Sequence, residues 1–502
     1  MKYLKPLLLL LIIAFSATSC FEDADDNVIL NGNNLEIQDF VWKGMNLFYV
    51  YKDEIGNLAD DRFSTNEEYT TYLNSFSNPE DLFASLLYLP DNVDEFSAIT
   101  SNYLELEQQL QGTNLDSGMK FGLVRIGNSN NVFGYVRYVL PNSSASANGV
   151  QRGMIFTGVD GTSLTASNFG NLLFGSNTSF TINLADYDDN GTTDNSDDTI
   201  TPNGNSISLT KETITENPIF RSNVIETNGF KIGYLMYNGF RISDANVIEL
   251  NNVIGDFNSQ NIDELVLDLR YNGGGSVSTA IWLSSMLTGQ FENQLFFEEK
   301  WNSGFQAFFE ENSPESLINN FVSNAIKTNS SGDETFNLPL NNLNLTKLYV
   351  LTTRSTASAS ELVINGLRPY IDVVQIGVDT RGKPQASTTI YDSEDFSRNN
   401  VNASHTYAMQ PLIYESANVD GFFQYYDGLS ASAGFELSEN FGNLGILGDE
   451  NEPLLERAIM DITGNGRFLD SFENDYFKPI PDESFLPPFS TDMFDYRVKL
   501  NR

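Results

Sequence analysis

Two residues twenty-five positions apart, Ser358 and Lys383, carry the most specific chemistry in the chain. A serine hydroxyl is a poor nucleophile until a neighbouring base takes its proton. A lysine can be that base only if desolvation lowers its pKa toward about 7–8. The nearby Val373, Val374 and Ile376 could supply apolar walls for it. Ser–Lys is an established alternative to Ser–His–Asp. A plainer role fits the same residues. Ser358-Ala-Ser-Glu361 has the form of a capping box, in which Ser and Glu satisfy orphan N–H donors at a helix start. Both readings stand on these residues alone.

The elements that must position this pair read simply. Residues 347–353 form a short apolar run with strand character. Residues 358–367 read as a helix, with Leu362, Val363 and Leu367 on one face. Residues 372–378 are a second β-branched run, so strand–helix–strand is expected. Ser358 then sits at a strand-to-helix turn, beside unpaired N–H groups and a partial positive charge. Lys383 follows on a Gly-flanked turn, at the same sheet edge if the strands are parallel.

The length of 502 residues suggests roughly three domains, and 40% apolar residues suffice for cores. A net charge of −39 argues against nucleic acid, whose phosphates need Lys and Arg. The single histidine, His405, makes a multi-histidine zinc site impossible; in its polar stretch it reads as a surface or packing residue. The single cysteine is Cys20, so a thiol nucleophile and disulfides are excluded if it is lipidated. Lys2 and Lys5 precede an apolar stretch at 7–15 that is too short to span a membrane. Ala17-Thr18-Ser19-Cys20 then resembles a bacterial lipoprotein cleavage box, with Ala17 where Leu is usual. Lipidation of Cys20 would anchor the protein in the outer membrane, facing the periplasm or the cell surface. The acidic run at 21–26 resembles the export tether of Bacteroidetes surface lipoproteins; it also reads as a solvated linker.

A tether is expected over 21–37, a helical domain over 38–112, and a Gly-punctuated β domain over 118–212. Within the last, Asp186, Asp188, Asn190, Thr192, Asp194 and Asp197 follow a calcium-loop pattern. Asp197 stands where Glu is usual and no helix flanks the loop, so an acidic hairpin tip competes with a structural calcium site. An α/β domain is expected over 215–464. Its 264–270 strand runs into Asn272-Gly273-Gly274-Gly275. That turn lacks GxGxxG spacing and a following GK[ST], which argues against a phosphate loop. The aromatic-rich stretch 290–345 reads as buried packing, or as cover for the site. The tail 465–502 is polar and Pro-containing.

Ser358, Glu361, Thr380, Gly382 and Lys383 resemble the serine-to-lysine segment of the S41 family of C-terminal processing (tail-specific) peptidases. The resemblance covers about 40–460 and is strongest at 264–276 and 347–383. It implies an α/β multidomain chain: an N-terminal helical domain, a PDZ-like β domain, and a ClpP/crotonase-like peptidase core. It implies Ser358 as nucleophile and Lys383 as base, with no cofactor for catalysis. Gly273 or Gly274 would join the Ala359 N–H as an oxyanion hole. The run from Leu140 through Gly149 to Gly161 resembles a PDZ domain, although Met154 replaces the usual Asp. Such a domain binds an extended peptide by strand addition, and Lys120-Phe121-Gly122-Leu123 is the candidate carboxylate loop. The helical domain is read as structural. Two departures touch the supporting residues. Many relatives have Gln four positions after the lysine; here that position is Ser387, and Gln385 is the nearest glutamine. Pro369 stands where an Asp is frequent, with Asp372 the nearest acid. The expected function is cleavage of polypeptides through an acyl-enzyme. The alternative is a peptide-binding lipoprotein that has lost activity.

Overall fold

The computed structural model describes residues 35–192, 194–329, 331–464, 476–481 and 493–497. The cleavage box, Cys20 and most of the tether lie outside the described residues. The first helix, Glu36–Phe48, already begins where the tether was expected to continue.

The centre is a five-stranded sheet in the order Ile219–Thr227, Phe230–Tyr237, Glu264–Asp268, Lys347–Thr352, Asp372–Gly377. The first pair is antiparallel and the rest are parallel. The strands alternate with period two, so each feeds two cores. Leu235, Leu265, Leu267, Leu348 and Val350 face the larger core, with helices Asp244–Gln260, Val277–Thr288 and Ala359–Leu367. Tyr234, Val266, Tyr349, Leu351 and Ile376 face the smaller one, closed by Leu454, Leu455 and Ala458 of helix Pro453–Thr463. The helices of the N-terminal segment are not a separate body. Their Trp42, Met45, Phe48, Tyr69 and Leu82 lie in the same contiguous core as the central sheet.

A second sheet of six strands runs Gly275–Ser276, Met493–Phe494, Gln385–Ser387, Leu412–Ala417, Leu295–Trp301, Ile318–Asn320. The aromatic-rich stretch is mostly packing: Phe296 and Phe297 are buried and Trp301 nearly so. A third sheet carries the β domain, in the order Phe477–Ile480, Met119–Ile126, Val132–Val139, Ile155–Val159, Ser179–Asp188, Thr199–Thr210. The tail thus supplies strands to two sheets, which its polar, Pro-containing sequence did not suggest.

Buried charge ties the layers together. Arg270, fully buried at the end of Glu264–Asp268, donates to both oxygens of Asp268 at 2.9 and 3.0 Å and to Glu452 at 2.5 and 2.8 Å. Glu452 in turn accepts from the Leu455 N–H and caps the last helix. From the β domain, Arg152 donates to the Tyr271 hydroxyl at 2.7 Å, to Glu439 at 3.1 Å and to the Leu444 carbonyl at 3.0 Å. Removing one partner of such a network strands the others without water. Arg270→Ala is expected to lower stability by about 3–5 kcal/mol, read as a shift of the urea midpoint.

Candidate active site

Strand Lys347–Thr352 ends at a tight turn, and helix Ala359–Leu367 starts immediately after Ser358. Ser358 has φ +66° and ψ −115°, a left-handed backbone that a side chain adopts only under constraint. The constraint is visible. Thr356 donates its hydroxyl to the Leu269 carbonyl at 2.8 Å. The Ala357 N–H and Ser360 hydroxyl both donate to the Asn272 carbonyl, at 3.0 and 3.1 Å. The serine turn is therefore stitched to the glycine turn of the neighbouring strand.

Glu361 then joins serine to lysine. Its Oε2 accepts from the Ser358 N–H at 2.7 Å and the Lys383 N–H at 2.9 Å. Its Oε1 accepts from the Gly382 N–H at 2.7 Å and the Thr380 hydroxyl at 2.5 Å. Two backbone nitrogens that share one acceptor cannot be further apart than the sum of the two bonds. Burial pushes the Glu361 carboxyl above its ordinary range, and the Thr380 hydroxyl and the three backbone donors oppose the rise. Only Glu361's half of the capping box is a hydrogen bond. Ser358 Oγ is buried and makes none among the described residues. The hydroxyl is thus not spent as a cap.

The lysine turn needs its glycine. Gly382 has φ +99°, and a Cβ there would lie 2.1 Å from the Tyr426 carbonyl oxygen. Lys383 is 1% exposed, and its Nζ lies 4.8 Å from the centre of the Phe96 ring. The apolar wall therefore comes from the N-terminal segment, not from the β-branched strand. Val374 and Ile376 lie in the smaller core, and Val373 packs against the larger one. A segment read as structural thus supplies a surface of the site.

The oxyanion candidates separate. Gly274 donates its N–H to Asn272 Oδ1 at 2.8 Å, so that group is occupied inside its own turn. The Gly273 and Ala359 N–H groups donate to nothing among the described residues. Gly275, at φ +135°, lets the chain pass Phe240, whose carbonyl oxygen a Cβ would meet at 2.4 Å.

Neither candidate for a third residue is simply placed. Gln385 donates its amide to the Tyr51 hydroxyl at 2.7 Å and to the Val93 carbonyl at 3.3 Å, while its buried Oε1 has no partner among the described residues. Tyr51 donates onward to Glu415 at 2.7 Å, which also accepts from Tyr426. Burial pushes the Glu415 carboxyl up, against the two tyrosine hydroxyls. Ser387 turns instead toward the tail, donating to the Met493 carbonyl at 3.2 Å. Asp372 lies at the far end of its strand, largely exposed, 3.9 Å from Lys347. His405 is bound to Asp392 at 2.9 Å and accepts from the Tyr407 N–H, a packing arrangement. Sequence reasoning did not find Phe96, Tyr51, Glu415 or Tyr426. They come from segments far away in the chain, and no local pattern marks them.

The other candidate sites also differ from expectation. Lys120-Phe121-Gly122-Leu123 is not a loop but lies within strand Met119–Ile126. Lys120 is held by Asp116 at 2.7 Å and Glu216 at 3.2 Å. The six calcium candidates share one hairpin without converging. Asp186 accepts from Asn203, Asp188 from the Asn190 N–H, Asp194 from the Ser196 N–H, and Asp197 from the Thr192 hydroxyl. Among the described residues no group of three or more His, Cys, Asp or Glu could hold a metal.

Because four donors depend on one carboxylate, Glu361→Gln turns an amide N–H toward at least one of them. It is expected to cost about 2 kcal/mol or more and to lower kcat at least a hundredfold, checked by thermal melts beside peptide hydrolysis assays.

Residues 231–407 match peptidase family S41, and residues 36–98 match the peptidase S41 N-terminal domain. Among solved structures, a protein of Bacteroides fragilis NCTC 9343 assigned to the S41 proteases is 24% identical, with a TM-score of 0.62. The match covers 85% of this chain and 98% of that one. The photosystem II D1 C-terminal processing protease is 18% identical, with a TM-score of 0.49, over 84% of this chain and 100% of its own. No curated protein sequence matches the chain. With the S41 N-terminal domain and the S41 peptidase domain both present and in order, the chain carries the two domains of an S41 peptidase and is a peptide hydrolase.

Proposed function

We propose that the protein is a serine endopeptidase in which Ser358 attacks the scissile carbonyl while Lys383 takes its proton. The observation that carries this reading is the shared Glu361 carboxylate. It draws a backbone-strained serine and a buried lysine to one acceptor atom. In the first step the Oγ–H proton passes to Lys383 Nζ and an Oγ–C bond forms. The carbonyl electrons move onto oxygen, where the Gly273 and Ala359 N–H groups receive them. Collapse returns the proton from Nζ to the leaving amine and leaves an acyl-serine, which water hydrolyses by the reverse sequence.

The antiparallel strand order of the β domain of residues 118–212 and its short helix Phe169–Phe174 support a PDZ-like reading. It would hold the ends of polypeptide substrates. Lipidation of Cys20 would place the enzyme on the outer membrane, at its periplasmic or outer face. No helix among the described residues is long and apolar enough to cross a membrane.

A second reading, a peptide holder without activity, draws on one observation: Ser358 Oγ has no hydrogen bond among the described residues. The two readings part in one experiment. A fluorophosphonate probe is expected to label Ser358 in the wild type and not in Ser358→Ala. Cleavage of unfolded protein is expected to fall at least a thousandfold in Ser358→Ala and Lys383→Ala, with unchanged melting curves. Wild-type protein that neither labels nor cleaves would establish the holder.

A further inference from the structure

The edge of strand Met119–Ile126 is not vacant. Phe477–Ile480, from the tail, runs antiparallel along it, with Phe477 opposite Ile126, Lys478 opposite Arg125, Pro479 opposite Val124 and Ile480 opposite Leu123. This edge carries the residues expected to bind a peptide. The direction of the added strand is also that of a bound peptide whose C-terminal end points toward the start of Met119–Ile126.

Both faces of the added strand are anchored. Phe477 is 1% exposed, with its ring 5.4 Å from Phe133 and 6.0 Å from Phe441. Ile480 packs against the β-domain core, which includes Leu123 and Leu173. The Tyr476 carbonyl accepts from the Gly127 N–H at 2.9 Å. The attachment is nevertheless short. Four residues pair, Pro479 has no N–H for the ladder, and Lys478 and Pro479 are exposed. It is bound as a peptide is bound, by a brief run of main-chain bonds and two side-chain anchors.

We propose that this edge is a peptide groove already filled by a resident ligand, Tyr476–Ile480 of the same chain, which an incoming polypeptide end must displace. The inference rests on the reading of the β domain as a peptide-binding module. The anchors define the class of competitor: an extended C-terminal peptide with an aromatic residue three positions before a final aliphatic one.

The test uses the full chain and a fluorescent Tyr-Phe-Lys-Pro-Ile peptide with a free carboxylate, read by anisotropy. Phe477→Asp with Ile480→Asp is expected to empty the groove and tighten probe binding at least tenfold over wild type. A second variant closes it. Arg125→Cys with Lys478→Cys joins two exposed register partners, whose spacing in an antiparallel pair suits a disulfide. Cys20, the only native cysteine, is replaced by Ser in this variant. Its oxidised form is expected to lose probe binding and to regain it on reduction. Equal binding by wild type and the emptied variant, or by oxidised and reduced protein, would overturn the resident-ligand inference alone. If no form binds the probe, emptied variant included, the peptide-binding reading of the domain fails along with it.

Discussion

One buried carboxylate holds the site together. Glu361 receives two N–H groups on one oxygen and an N–H and a hydroxyl on the other, and these four donors come from the serine turn and the lysine turn. A carboxylate that leaves water must find such partners or neutralise, because desolvation alone costs several kcal/mol. The requirement works in reverse as well. Once Glu361 is placed by its helix, the two turns have little freedom to separate. Around it, Asn272 ties the glycine turn to the same helix start. Thr380 ties the lysine turn to the Leu429 N–H at 2.7 Å. The apparent helix cap is thus the joint between the serine turn and the lysine turn.

This explains why part of the arrangement could be read from the chain and part could not. The central strand–helix–strand unit was legible because apolar periodicity and β-branched runs are local signals, and the structure has it at Lys347–Thr352, Ala359–Leu367 and Asp372–Gly377. Ser358, Gly382 and Lys383 stood out by their resemblance to the S41 serine-to-lysine segment, whereas Ser358 taken alone reads equally as a helix cap. What surrounds Lys383 and Gln385 was not legible. Phe96 and Tyr51 arrive from the first hundred residues, and Glu415 and Tyr426 from a later strand and loop. Their meeting depends on tertiary packing, which leaves no periodic mark. The glycine run posed the opposite problem. Sequence offered Gly273 and Gly274 as equals, and only the Asn272 side chain, folded back onto Gly274, distinguishes them.

The N-terminal helices share one core with the central sheet, and the irregular segment after them supplies Phe96, the ring over Lys383. Neither region has a complete interior without the other. Arg152 extends this dependence to the β domain, since its guanidinium binds the tyrosine that directly precedes the glycine turn. Three parts of the sequence therefore converge within a few residues of the nucleophile, by packing, by charge and by main-chain bonds. Ser358 and Lys383 are both sealed from water in this arrangement. Anything reaching this pair would have to pass the groups that now cover both side chains.

The second sheet adds an ordering in time. Met493–Phe494 lies between Gly275–Ser276 and the strand that begins two residues after the lysine, parallel to both. Its partners are synthesised more than a hundred residues earlier at the nearer strand and more than two hundred at the farther. A nascent chain that has not yet reached Met493 has the glycine turn and the lysine turn but not the ribbon that lies between them. That part of the second sheet therefore closes late, after the central sheet has all its strands.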